Sequence, residues 1–141
     1  MQPMADAERR AFLAGGAPTA ALATTRTDGS PHVAPIWFLP DGDDVVFTTW
    51  HASVKGRNLA RDPRAALSVD DPGFPFAFVV LEGTCTLSDD LAQLSTWATR
   101  IAARYVPAGR AEEFGARNAV TGELLVRLTP HRWSTGRGVA E

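Results

Sequence analysis

The segment Thr48-Thr49-Trp50-His51-Ala52-Ser53-Val54-Lys55-Gly56-Arg57-Asn58-Leu59-Ala60-Arg61-Asp62-Pro63-Arg64 reads as the end of a β-strand, a short helix and the start of another strand. Ser53 suits the helix N-cap, because its hydroxyl can accept from a first-turn N–H that has no intrahelical partner. Pro63 stops the helix and opens the strand Ala65 to Val69. Lys55 then falls near the second helical position. It is the only lysine in the chain; the other thirteen of the fourteen basic residues are arginine. A cation there is unfavourable by itself, since the helix N-terminus already carries partial positive charge. The conflict disappears if an anion docks there, held by free backbone N–H groups, the ammonium and nearby Thr and Ser hydroxyls. Gly56 would let the backbone approach such a ligand closely. A solvated lysine on a surface helix is the other reading of these residues.

Working outward, residues 5–14 predict a short helix ended by Gly15-Gly16, and Thr19 to Thr25 a strand of small and β-branched residues. The turn Thr27-Asp28-Gly29-Ser30 leads to a second strand over 32–39, with Val33, Pro35, Trp37 and Leu39 on one face and His32, Ala34, Ile36 and Phe38 on the other. A turn at Asp41-Gly42-Asp43-Asp44 leads into Val45 to Thr49, so the three strands form an antiparallel meander. After Asp70-Asp71-Pro72-Gly73 comes a long strand, Phe76 to Leu87, whose central Glu82-Gly83 predicts a bulge or bend. Residues 89–106 predict a helix capped by Ser88, with Leu91, Leu94, Trp97, Ile101 and Tyr105 on one stripe. A further helix over 109–119 precedes a last strand from Glu123 to Thr129, ended by Pro130. The fold class is therefore mainly β: one domain over residues 1–141, a six- to seven-stranded antiparallel split β-barrel with flanking helices.

Composition excludes several classes. The 141 residues carry a formal net charge of −2, with no footprint for nucleic acid or an anionic membrane. The single cysteine, Cys85, rules out an internal disulfide and reads as a core residue of a strand. No signal pattern or membrane-length apolar run occurs, so a cytoplasmic protein is expected. His32, His51 and His131 are too scattered for a metal site, and no nucleophile elbow, phosphate loop or dinucleotide fingerprint is present. Pro35 in mid-strand places that strand at an edge or groove. With Trp37 it makes a flat apolar platform for an aromatic ring, although core packing explains Trp37 equally well. A planar aromatic body with a phosphate tail would satisfy this platform and the Lys55 site together.

The runs Thr25 to Phe38 and Ser53 to Arg64, the latter with the pattern Lys-x-x-Asn-Leu-x-x-Asp-Pro-Arg, and Phe78-Val79-Val80-Leu81-Glu82-Gly83 resemble the pyridoxamine-phosphate-oxidase-like split β-barrels. More closely they resemble the short flavin/deazaflavin oxidoreductase branch, many members of which use coenzyme F420. The resemblance implies a homodimer with cofactor grooves between subunits. It implies that Lys55, with Ser53 and Asn58, holds the cofactor phosphate, and that Thr48 and Thr49 bond the phosphate or ribityl chain. His32, Val33, Pro35 and Trp37 would line the ring, and Phe76 and Phe78 of the second subunit would close the groove. The tail His131 to Arg137 lacks the extra basic residues of true pyridoxamine-phosphate oxidases, so that activity is not expected. The implied function is hydride transfer between reduced F420 and a small conjugated organic substrate, with His32 a weak candidate proton donor. Alternatives are an FMN-dependent enzyme of the same fold, or a non-catalytic carrier of flavin, deazaflavin or haem.

Overall fold

The computed structural model describes all 141 residues. In chain order they form α1 (Asp6–Ala14), β1 (Ala20–Thr25), β2 (Pro31–Ile36), β3 (Leu39–Asp41), β4 (Asp44–Trp50), α2 (Val54–Arg61), β5 (Arg64–Asp71), β6 (Ala77–Ser88), α3 (Leu91–Tyr105), α4 (Ala111–Arg117) and β7 (Glu123–Arg137). The strands make one antiparallel sheet in the order β2-β1-β5-β6-β7-β4-β3. It is the expected split barrel, curled so that alternate residues point inward. Leu22, Leu67, Val69, Val79, Leu81, Phe47 and Val126 are buried within it, and Cys85 joins this core. Burial pushes the Cys85 thiol up to about 12, so it stays protonated and packs as a small apolar group.

The meander is the main correction. The strand expected over 32–39 breaks after Ile36, and β3 pairs with β4 at the opposite end of the strand order. Thus β2 does not lie beside β4. The cause is Phe38, which is fully buried and whose backbone bonds to α3 rather than to a strand. Its N–H donates to the Tyr105 hydroxyl at 3.1 Å, and its carbonyl accepts from Arg104 Nη1 at 2.8 Å. Trp37-Phe38 is therefore a corner that carries the chain from one sheet edge to the other.

Other boundaries move for local reasons. Asp90, not Ser88, caps α3, accepting from the Gln93 N–H at 3.0 Å, while Ser88 accepts from the Asp90 N–H. Leu91 is exposed and lies off the buried stripe of Leu94, Ala98, Ile101 and Ala102. The last strand does not end at Pro130 but runs on to Arg137. Glu82 pairs with Arg132 and Gly83 with Pro130, so the expected bulge is present and His131 is the extra residue, on β7. A proline is tolerated there because the ladder is already interrupted. Gly83 is required by close approach: a Cβ would come within 2.1 Å of the Thr129 carbonyl oxygen.

Candidate functional site

Ser53 caps α2 as its sequence context predicts, accepting from the Gly56 N–H at 3.0 Å. Lys55 follows at the second helical position, and its own backbone N–H finds no partner in the chain. The side chain is half-buried, forms no ion pair, and lines a cavity of about 460 Å³. That volume lies in the range of small-molecule and cofactor sites, roughly 300–1,000 Å³. The polar lining comes from Thr19 before β1, Thr48 and Thr49 of β4, Lys55 of α2, Asn118 after α4 and Glu123 of β7. The apolar lining comes from Pro35 and Ile36 of β2, from Trp37, from Trp50 of β4, and from Ala98, Ile101 and Ala102 of α3. The corner at Trp37-Phe38 explains how β2 and β4 reach one cavity without being paired.

Trp37 is a backed platform. Its ring stacks on Tyr105 with centroids 5.0 Å apart and planes 3° from parallel. Tyr105 is fixed in turn by donating to the Pro18 carbonyl at 2.8 Å and accepting from the Phe38 N–H. Arg104 holds the same corner: it donates to the carbonyls of Leu13, Gly16 and Phe38 at 2.6, 3.1 and 2.8 Å, and lies over the Phe38 ring. An indole held this way is pre-organised to receive a planar ring.

Of the residues named from sequence, Pro35, Trp37, Thr48, Thr49 and Lys55 meet at the cavity. Others sit elsewhere. The Ser53 hydroxyl donates to the Trp50 carbonyl at 2.7 Å and also contacts the Thr49 hydroxyl at 2.9 Å, so its proton is taken up by the protein. Asn58 is buried and donates to the Thr24 hydroxyl at 3.0 Å, fastening α2 to β1. Its carbonyl accepts from Arg61 at 3.4 Å. His32 faces Thr24 across the β1–β2 ladder with a buried, unpartnered Nδ1, and Val33 points to solvent. Phe76 and Phe78 lie outside this cavity, Phe76 partly exposed with a positive φ of 72°.

Gly56 has a different role from the one expected. A Cβ on it would meet the Trp50 carbonyl oxygen at 2.4 Å, so it lets α2 approach β4 rather than a ligand approach α2. Helix propensity favours alanine by about 1 kcal/mol, but the clash reverses the sign. Gly56→Ala is expected to destabilise the fold by about 1–3 kcal/mol, read as a lower urea midpoint. A raised midpoint would show that the contact relaxes freely.

Trp50, Asn118 and Glu123 line the cavity and were not expected from the sequence. Trp50 lies against the α4–β7 turn, where a Cβ on Gly122 would come within 2.4 Å of the indole. An aromatic residue ending a strand beside the helix cap was a usable signal for Trp50. Nothing local marks Glu123. Burial raises its carboxyl above the ordinary 4.5, and the charges of Lys55 and His51 draw it partly back. Between the unfolded and folded values the native state binds more proton than the unfolded chain, so stability falls as pH rises through that window. Glu123→Gln is expected to flatten this part of the stability curve, measured by urea unfolding from roughly pH 4 to 7. An unaltered slope would show that folding does not change the solvation of Glu123.

Comparison with known proteins fits this geometry. The family model described as pyridoxamine 5'-phosphate oxidase matches residues 5–135. The chain belongs to this family. Its fold is shared with a conserved hypothetical protein of Mycobacterium tuberculosis, at 24% identity and TM-score 0.84 over 96% of this chain and 86% of that one. An F420 reductase is 26% identical, with TM-score 0.72 over 88% of this chain and 94% of its own. HutZ, the haem storage protein of Vibrio cholerae, has TM-score 0.72 at 15% identity, covering 100% of both chains, a likeness of fold alone. No curated protein sequence matches. No helix of this family member is long and apolar enough to cross a membrane.

Proposed function

We propose that this family member is an oxidoreductase that transfers hydride between reduced coenzyme F420 and a small conjugated organic substrate. The observation that carries the reading is the unpaired Lys55 in a cavity that is also lined by the Tyr105-backed Trp37. The likeness to an F420 reductase supports the deazaflavin. The residues fit such a group: an ammonium, a free helix N-terminal N–H and the Thr48 hydroxyl suit a phosphate, and the indole suits a planar ring. When bound, F420 supplies hydride chemistry, and the protein supplies orientation and an apolar enclosure. Lys55 and its N–H anchor the phosphate, Thr48 offers a hydroxyl donor beside it, the Thr49 hydroxyl backs the site by donating to Ser53 Oγ, and Trp37 with Ile101 excludes water from the ring. No carboxyl or imidazole is assigned as the proton donor, and solvent can fill that role.

The proposal includes a homodimer in which Phe76 and Phe78 of a second copy complete the groove. In support, Phe74 and Phe76 form an edge-to-face pair that is largely exposed and unused by this chain's own cavity. FMN is the second reading, because the same donors suit its phosphate. A haem carrier is less favoured, since the cavity lining contains no His, Cys or Met to ligate iron. Fluorescence titration of cofactor-free protein with F420 and with FMN tests the proposal. Micromolar or tighter binding that favours F420, followed by turnover on an enone panel, is the expected result. Preference for FMN transfers the assignment to the second reading, and binding of neither removes both.

A further inference from the structure

Two half-buried side chains of opposite charge share the cavity without pairing. Lys55 and Glu123 both line it, and neither the ammonium nor the carboxylate has an ion-pair or hydrogen-bond partner in the chain. They are nonetheless close enough for the lysine charge to act on the carboxyl. His51, the other charged or titratable group acting on Glu123, turns its Nδ1 to the Gly122 carbonyl at 3.0 Å. Glu123 opens β7 opposite Trp50, and that register fixes its position relative to Thr48, Thr49 and α2. A partly desolvated ammonium and carboxylate left apart are less stable than the same groups bridged. A ligand that bridges them must present an anion to the lysine and a hydrogen-bond donor to the carboxylate. Phosphate alone does not meet that requirement, because the carboxylate repels it.

The geometry points to Glu123 as a selectivity residue that accepts hydrogen bonds from hydroxyl groups on the chain between a ligand's ring and its phosphate. This rests on the cofactor reading above and adds to it the demand for a hydroxylated linker. The lining is consistent with a ligand of that polarity. Its polar members come mainly from β4, α2 and β7, with Thr19 before β1 and Asn118 after α4, and its apolar members mainly from β2 and α3.

The test compares two probes on each of the two rings, flavin and deazaflavin: the ribityl 5′-phosphate, and an analogue with a plain pentyl phosphate chain. Affinities are read by fluorescence titration for wild type, Glu123→Ala and Glu123→Gln, with melting temperatures recorded alongside. Wild type is expected to prefer the ribityl phosphate by about tenfold, the scale of one hydrogen bond to a charged group. Glu123→Ala should bind the ribityl phosphate more weakly and the pentyl phosphate more tightly, erasing the preference. Glu123→Gln keeps an acceptor oxygen without the charge and should retain part of it, which decides the matter if the alanine variant does not fold. Tightening of both ligands together would reduce Glu123 to a repulsive charge and overturn the inference, as would unchanged affinities. Wild type binding neither phosphate would overturn the cofactor reading and this inference with it, whereas an unaltered preference in Glu123→Ala would overturn only this inference.

Discussion

Lys55→Ala is expected to weaken cofactor binding by roughly 1.5–3 kcal/mol, the usual scale of a hydrogen bond to a charged group. That corresponds to a rise in Kd of about 10- to 150-fold. The melting temperature of the cofactor-free protein should barely change, because Lys55 makes no ion pair or hydrogen bond that folding depends on. Two small effects oppose each other: the variant removes a positive charge from the N-terminal turn of α2, and it removes the attraction between Lys55 and Glu123. Titration with F420 and FMN, paired with thermal unfolding without ligand, separates the two effects. Equal affinities in wild type and variant would return Lys55 to the role of a solvated surface lysine.

Arg104→Ala is expected to have the largest effect on stability, a loss of about 3 kcal/mol, or roughly 10 °C in Tm for a chain of this size. One guanidinium serves the carbonyls at the end of α1 and of Gly16, together with the Phe38 carbonyl at the barrel corner. Removing it leaves those oxygens without their charged donor and uncovers the Phe38 ring. Lysine should not restore the loss, because a single ammonium cannot reproduce the planar fork. The corner also carries Trp37, so Arg104→Ala should weaken ring binding even at temperatures where the variant is folded. Urea unfolding that shifts by less than about 0.5 kcal/mol would show that water replaces these bonds at little cost.

How much of this could be read beforehand differs by element. Helix α2, its Ser53 cap and the position of Lys55 follow from local chemistry: a hydroxyl that competes for the first-turn N–H groups and a proline that cannot continue the helix. The bulge at Glu82/Gly83 was also legible, because a glycine inside a long strand marks a close backbone approach. The corner at Trp37-Phe38 was not. The apolar run continues unbroken from Val33 to Leu39, and the strand breaks because Tyr105 and Arg104, some 67 residues later, bond the Phe38 backbone.

The site divides in the same way. Pro35, Trp37, Thr48, Thr49 and Lys55 were found because each is unusual for its local element or adjoins one that is. Ser53 and Asn58 carry hydroxyl and amide groups of the right type, yet the protein's own backbone and Thr24 engage them. Glu123 was invisible because a glutamate at a strand start has no local peculiarity. By itself the sequence determined α2 with its Ser53 cap, the strands β1, β4, β5 and β6, and a lone cation in search of an anion, since these depend on contacts within a few residues. Only the tertiary structure decided which edge each strand joins, that Glu123 shares a cavity with Lys55 unpaired, and that Gly56 serves packing, because those outcomes depend on long-range closure of the barrel.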